Sequence, residues 1–318
     1  MPKFFTKIFF YTLFSYYSLF IIKYIKPNLQ KIYLISDAGY GDLLYSTYFA
    51  SNSPDKNVRL YCSEIKLDFA KIFYSESYAT VNLSFNSKNC LYYSDRSDLS
   101  IIQLMRIFIG GNLFISNSIY ERLRITFRLK RFFNYSFNKN FYNNLNCLSR
   151  FYEDLCLPTD KINYQFNQSK ICRSKKINLT ILHAFGSDSI RHLTREQIIM
   201  IGTRFDNLVL IGTSSDYLKY KKYNLNYIFY VQDNWLKTMD FICKASFLVC
   251  VDSSIAHLSR FITNSEILVL VGNTFAEYYY PFPEPNLKII HNYQSCTPCS
   301  NRECHKIKNK SCVQNIAI

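Results

Sequence analysis

Four stretches of this 318-residue chain gather side chains that could do chemistry. In the first, Gly39-Tyr40-Gly41-Asp42 follows an apolar run and sets a carboxylate at the start of the next helix. A carboxylate so placed can take a proton from a hydroxyl within hydrogen-bond reach. It also suits a helix N-terminus as a plain cap. In the second, His183-Ala184-Phe185-Gly186-Ser187 closes another apolar run, with Arg191 just beyond. Ser187 can donate to a phosphate and Arg191 can neutralise one through two parallel bonds. The plainer alternative is a polar loop with one surface arginine. In the third, Gly212-Thr213-Ser214-Ser215-Asp216 ends in an acid that can accept from a ribose hydroxyl or cap a helix. In the fourth, Asp252-Ser253-Ser254 leads into a helix that carries His257, and Gly272-Asn273-Thr274 follows. Hydroxyls and free backbone N–H groups at a helix N-terminus form a ready anion site. A lone helical histidine such as His257 is equally compatible with a core or surface role.

The elements that must position these residues alternate. Lys31–Ser36, Val58–Cys62 and Thr80–Leu83 read as strands, with helices from Leu43, from Glu64 to about Tyr74, over Leu99–Ile109 and over Asn143–Leu157. The second half is more regular. Strands are expected over Ile177–Leu182, Leu208–Ile211, Tyr227–Val231, Phe247–Val251 and Ile267–Val271. Helices are expected over Thr194–Arg204, Asp216 to about Lys222, Trp235–Lys244 and Ile255–Phe261. Such alternation means βαβ units and a parallel sheet. The polar stretch Pro158–Lys176 separates the halves, which gives three segments: 1–29, 30–160 and 161–318. Five of the eight glycines, Gly39, Gly41, Gly186, Gly212 and Gly272, stand at strand-to-helix turns. They predict tight turns, positive φ or close approach of backbone to a ligand. Ligands of open α/β sheets bind outside the carboxyl ends of the strands, where these turns lie.

Composition narrows the partners. The formal net charge of +15 attracts polyanions: nucleic acid, anionic membrane or a phosphorylated glycolipid. Tyr and Phe occur 27 times each, a surplus that codon bias explains as well as base stacking. With no nucleic-acid module present, nucleic acid is not an expected partner. Arg122, Arg124, Arg128, Lys130 and Arg131 cluster in one basic stretch, either a solvated face or a contact for acceptor or membrane phosphates. Eleven cysteines is an odd number that favours a reducing compartment. Cys296, Cys299, Cys304 and Cys312 could hold a structural Zn, serve redox chemistry or pack reduced. Ile8–Ile22 is apolar and aromatic, with lysines on both flanks. It is shorter than the roughly 20 residues a spanning helix needs. It can lie in the membrane interface, pack on its own domain or span. No small-residue cleavage site follows it.

Taken in order, these stretches resemble the heptosyltransferase family of lipopolysaccharide core glycosyltransferases, glycosyltransferase family 9, from about Lys31 to the C-terminus. The resemblance rests on the Gly-Tyr-Gly-Asp turn, the phosphate loop at Gly186–Arg191, the Asp-Ser-x-x-x-His stretch ending at His257, the Gly-x-Thr loop and the cysteine-rich tail. It implies GT-B architecture: α/β, with two Rossmann-like parallel-sheet domains facing across a cleft. It implies that Asp42 is the catalytic base. Ser187, Arg191, Asp252, Ser253, Ser254, His257 and Thr274 would hold the donor, with Asp216 near the ribose. Three departures stand out: Ser254 replaces a usual Gly, Arg191-His192-Leu193 replaces a Lys-x-Trp pattern, and Asn273 replaces a common Pro.

The implied function is inverting transfer of a sugar to a lipopolysaccharide or lipooligosaccharide core. ADP-heptose is the implied co-substrate, with no cofactor required. A lipid A-core acceptor on the anionic cytoplasmic face of the bacterial inner membrane fits the basic charge and the apolar N-terminus. A UDP-hexose donor on the same fold, or a non-catalytic nucleotide- or membrane-binding protein, are the alternatives. A dehydrogenase is disfavoured because the G-x-G-x-x-G fingerprint is absent.

Overall fold

Parallel strands buried on both faces read as continuous apolar runs, and the clearest runs of this sequence become the central strands. The computed structural model describes residues 31–36, 39–52, 57–79, 83, 90–94, 106–107, 113–116, 175–272, 274–280, 284–294, 297 and 312–316. They fall into two compact units. The first holds β1 (Lys31–Ile35), α1 (Tyr40–Asn52), β2 (Val58–Cys62), α2 (Glu64–Phe73), β3 (Ser77–Ala79), β4 (Cys90–Ser94) and β5 (Leu113–Ser116). Its sheet runs β3-β2-β1-β4-β5, and every pairing is parallel. Leu34 lies opposite Leu60 on one side and Tyr93 on the other, which sets β1 at the centre. α1 is buried without a break from Leu43 to Ala50, so it is a core helix rather than an amphipathic one.

The second unit holds β6 (Thr180–His183), α3 (Arg195–Gly202), β7 (Leu208–Gly212), α4 (Ser214–Tyr223), β8 (Ile228–Val231), α5 (Trp235–Lys244), β9 (Phe247–Val251), α6 (Ser254–Ile262), β10 (Glu266–Val271), α7 (Ala276–Tyr279) and β11 (Leu287–His291). The sheet order is β11-β10-β9-β6-β7-β8, again all parallel. The order reverses at β1/β4 in the first unit and at β6/β9 in the second. Both are topological switch points, the crevices where open α/β sheets hold ligands. One core cluster joins Leu182, Leu210, Val249 and Leu270 of the sheet to Ile198 and Ile201 of α3 and to Val313 and Ile316.

Local chemistry sets the helix ends. Thr194 and Gln197 form a capping box at α3, and Thr213 and Asp216 form one at α4. Asn234 caps α5 and Ser253 caps α6. α4 ends on Asn224 at φ 50, the left-handed C-terminal position that glycine usually fills.

Several sequence expectations shift. β3 stands at Ser77–Ala79, just before the strand expected at Thr80–Leu83, of which only Leu83 is among the described residues; the strand expected at Ile177–Leu182 forms at Thr180–His183, and α4 begins at Ser214. β4, β5 and β11 were not anticipated; β11 mixes Lys288 and His291 with its apolar residues and is half-exposed. The expected helices over Leu99–Ile109 and Asn143–Leu157, the 160/161 boundary and residues 1–29 lie wholly or mostly outside the described residues. Among the described residues no helix is long and apolar enough to cross a membrane.

The glycines carry a different constraint from the one expected. None of Gly39, Gly186, Gly212 and Gly272 adopts left-handed backbone, and the chain itself crowds the last three. At Gly272 a Cβ would come 2.6 Å from the backbone N of Val313. At Gly39 the nearest atom, Asp42 Oδ2, would be 3.7 Å away. Gly272→Ala is therefore expected to destabilise by about 1–3 kcal/mol, the usual cost of overpacking. Gly39→Ala is expected to stay within about 0.5 kcal/mol. Urea unfolding of the two variants beside the parent checks the contrast.

Candidate functional site

At the β6/β9 switch point two strand ends deliver their loops side by side. β6 ends at His183, and the chain continues through Gly186 and Ser187 into a 3₁₀ turn at Ser189–Arg191. The turn closes back on the sheet, with Leu193 N donating to Ala184 O at 2.9 Å. β9 ends at Val251 and passes through Asp252 into α6. Arg191 bridges the two loops: its Nη1 donates to the Asp252 carbonyl at 3.2 Å. Its Nη2 stands 3.8 Å from Asp188 Oδ2. Its Nε is buried and has no hydrogen-bond partner among the described residues. A buried N–H without an acceptor costs roughly 1–3 kcal/mol, and more on a charged group, so this atom awaits one. Gly186 makes the arrangement possible, because a Cβ there would come 2.7 Å from Arg191 Cβ.

The N-terminus of α6 faces the same crevice. Ser253 Oγ accepts from Ala256 N at 3.4 Å as the N-cap. The same oxygen lies 3.0 Å from Nδ1 of buried His183. The amides of Ser254 and Ile255 have no intrahelical acceptor, and the helix dipole adds partial positive charge there. Ser187 is exposed on the rim and donates to Asp188 Oδ2 at 3.3 Å.

Behind the loops sits the carboxylate of Asp252, 2% exposed. Thr274 Oγ1 donates to its Oδ2 at 3.0 Å, and Tyr280 O–H donates to its Oδ1 at 3.1 Å. His257 Nε2 lies 3.5 Å from the same Oδ1. The His257 ring is stacked on Tyr280 and tilted against Tyr279. Burial pushes His257 down to about 4; Asp252 works against that shift, while the charges of Arg260 and Arg191 add to it. Burial likewise pushes His183 down to about 4. Both rings are neutral at neutral pH, so the positive charge bridging the two loops is that of Arg191.

Asp216 turns inward. Its Oδ2 accepts from Thr213 N at 3.0 Å and Thr213 Oγ1 at 2.7 Å, and Lys219 Nζ meets Oδ1 at 3.1 Å. Burial raises its carboxyl, but these bonds more than offset that and hold it below the ordinary range. Asp216 thus serves as the N3 residue of the α4 capping box. Gly212 packs against this cap, since a Cβ would meet Asp216 Cβ at 2.9 Å.

In the first unit Asp42 occupies the first turn of α1, half-buried, above the carboxyl end of β1. Gly41 lies in the helix rather than in the turn before it. Ser46 Oγ donates to the Asp42 carbonyl and lies 3.2 Å from Ser36 Oγ, which ties the helix start to the strand end. Arg122, Arg124, Arg128 and Arg131 lie outside the described residues, as do Cys296, Cys299 and Cys304. Cys312 is buried beside Gly272. Among the described residues no cluster of His, Cys, Asp or Glu could hold a metal.

Sequence reasoning missed Tyr280, His183 and Asp188. His183 stood inside a noted stretch without a role of its own. Tyr280 carried no signal at all among the many tyrosines.

E. coli heptosyltransferase WaaC with ADP aligns with 82% of this chain and 90% of its own at TM-score 0.50 and 8% identity. The fold is GT-B. The same enzyme with ADP-2-deoxy-2-fluoro heptose covers 82% of this chain and 93% of its own at TM-score 0.49 and 7% identity. A UDP-GlcNAc 2-epimerase from Neisseria meningitidis bound to UDP-GlcNAc covers 76% and 82%, at TM-score 0.35 and 10% identity. No protein-family model and no curated protein matches the chain.

The two buried histidines make stability depend on pH. Their folded pKa values of about 4 lie below the unfolded value of 6.5. Between those limits the unfolded chain binds more protons, so stability is full above pH 6.5 and falls as pH drops toward 4. The expected loss from pH 7 to 4.5 is roughly 2–3 kcal/mol per histidine. Urea midpoints at the two pH values measure it, and His257→Gln is expected to make the fall shallower.

Proposed function

We propose that this chain is a glycosyltransferase whose nucleotide-sugar donor binds at the β6/β9 switch point with its diphosphate against Arg191 and the N-terminus of α6. The observation that carries the reading is the buried Arg191 Nε, which has no hydrogen-bond partner among the described residues, on a side chain bonded to the Asp252 carbonyl just before α6. A diphosphate oxygen supplies the acceptor that this atom lacks, at a place where the helix dipole also favours negative charge. Ser187 and Ser254 stand near enough in the chain to add donors. Asp252, Ser253 and Thr274 serve the site from behind, and His257 is their neutral companion.

In the reaction the acceptor hydroxyl attacks the anomeric carbon, and its proton passes to Asp42. The bond from that carbon to the β-phosphate oxygen breaks, and a new glycosidic C–O bond forms. Attack opposite the leaving group inverts the centre. The leaving nucleoside diphosphate gains charge as it departs, and Arg191 with the α6 amides is preorganised to meet it. No step calls on a metal. A structural Zn at the cysteine-rich tail would belong to stability alone.

ADP-heptose is the donor we assign and the lipopolysaccharide or lipooligosaccharide core the acceptor, on the resemblance of the loops to family 9 enzymes. The net charge of +15 and the apolar run at Ile8–Ile22 support work at an anionic membrane surface, the cytoplasmic face of the inner membrane. The basic stretch Arg122–Arg131 is our candidate for contacting acceptor phosphates.

Calorimetry with ADP and UDP tests the donor. ADP is expected to bind more tightly, and Arg191→Ala to weaken it about 10–100-fold, the worth of one or two charge-assisted bonds. Preference for UDP would keep the enzyme and change the donor. Asp42→Asn is expected to bind ADP normally and to lose about 10²–10⁴ in transfer rate. Mass spectrometry of the core from cells lacking the gene, complemented by parent or Asp42→Asn, reads this directly. A core shortened by one heptose and restored only by the parent is the expected result. An unchanged core would leave a binding protein without catalysis.

A further inference from the structure

A carboxylate one residue from an anion site is a liability, and this site has one. Asp252 gives its backbone carbonyl to Arg191 Nη1, so its side chain begins within reach of the guanidinium. Arg191 still carries a buried N–H with no partner among the described residues. An unrestrained carboxylate there would rotate onto that N–H and occupy the group a phosphate needs. In the structure it does not. Its two oxygens are engaged elsewhere, Oδ2 by Thr274 Oγ1 and Oδ1 by Tyr280 O–H, with His257 Nε2 3.5 Å from Oδ1. Tyr280 is itself locked from several sides. Its backbone N–H donates to Ala276 O at 2.7 Å. Its ring stacks on His257 at 5.3 Å between centroids and lies under the Arg260 guanidinium at 5.6 Å. Arg260 in turn holds the Tyr279 carbonyl at 2.8 Å and pairs with Glu284.

We infer that Tyr280 is a positioning residue of the anion site: its hydroxyl, with that of Thr274, holds the Asp252 carboxylate off Arg191 and so keeps the guanidinium open for the diphosphate. The inference rests on the donor reading given above and adds a residue outside the loops that touch the ligand. Tyr280 acts through Asp252 and touches neither donor nor acceptor.

The consequence is specific to charge. Tyr280→Phe keeps the ring, its stacking and the backbone bond and removes one hydroxyl. The freed carboxylate then competes with phosphate for Arg191, so ligands with a diphosphate weaken and the nucleoside alone does not. Asp252→Asn in the same chain removes the competitor's charge and returns the affinity. A purely structural loosening would not be cured by a second substitution in the same network.

The test is calorimetric titration of ADP, inorganic pyrophosphate and adenosine into the parent, Tyr280→Phe, Thr274→Val and Tyr280→Phe/Asp252→Asn, with a thermal melt of each. Tyr280→Phe and Thr274→Val are each expected to weaken ADP and pyrophosphate about 5–10-fold, the worth of one hydrogen bond. Adenosine is expected to stay within about twofold, and the double variant to recover to within about twofold of the parent. Unchanged ADP affinity in both single variants overturns the inference. So does an equal loss for adenosine, or a loss that Asp252→Asn leaves in place. If the parent binds neither ADP, UDP nor pyrophosphate, the donor reading fails and this inference with it, an outcome distinct from the other three.

Discussion

A buried charge has to be met, and the way Asp252 is met organises the second unit's crevice. Removing a carboxylate from water costs several kcal/mol unless donors surround it. Two hydroxyl donors and a nearby imidazole do so here, from three different elements: Thr274 after β10, Tyr280 after α7, and the His257 ring on α6, 3.5 Å from Oδ1. The cost of desolvation thus becomes a constraint on geometry. The start of α6, the loop after β10 and the segment around α7 cannot move independently without exposing or orphaning the carboxylate. Arg191 is then tied to the same point through the Asp252 carbonyl. The loop atoms around Arg191 are held in place because the group behind them is expensive to disturb.

The central strands were legible because parallel strands covered on both faces must be apolar throughout. Ile32–Ile35, Leu208–Ile211 and Leu248–Val251 announce themselves in that way, and all three are buried or nearly so. β11 was silent for the opposite reason: at the sheet edge it is half-wet, and Lys288 and His291 break the run. At the site, the loops were legible and their wiring was not. Asp216 has the same residue type and spacing whether it meets a ribose or caps α4. The 2.7 Å bond from Thr213 Oγ1 shows the capping role, which the sequence alone does not reveal. Tyr280 joins Asp252 across 28 residues of chain. A contact of that separation depends on where two other elements pack, and no local pattern encodes it.

The glycines show how a correct signal can carry a different cause. A glycine-poor chain does keep glycine where a side chain cannot fit. At Gly186 and Gly272, however, the space is already taken by Arg191 and by Val313. The restriction protects the packing around the two loops rather than an approach of backbone to a ligand.

That packing has a consequence for synthesis. Gln197, buried on α3, donates through Nε2 to the carbonyls of both Val313 and Ile316 at 3.1 Å. Val313 and Ile316 also fill the core cluster beneath β6, β7, β9 and β10. Chains emerge from the ribosome N-terminus first, and domains generally fold in that order. All five described strands of the first unit are out once residue 116 is free. The second cannot seal its core or satisfy Gln197 until residue 316 is out. A ribosome paused late in translation would therefore hold a nascent chain whose first unit has all its described strands and whose second unit still has an open core.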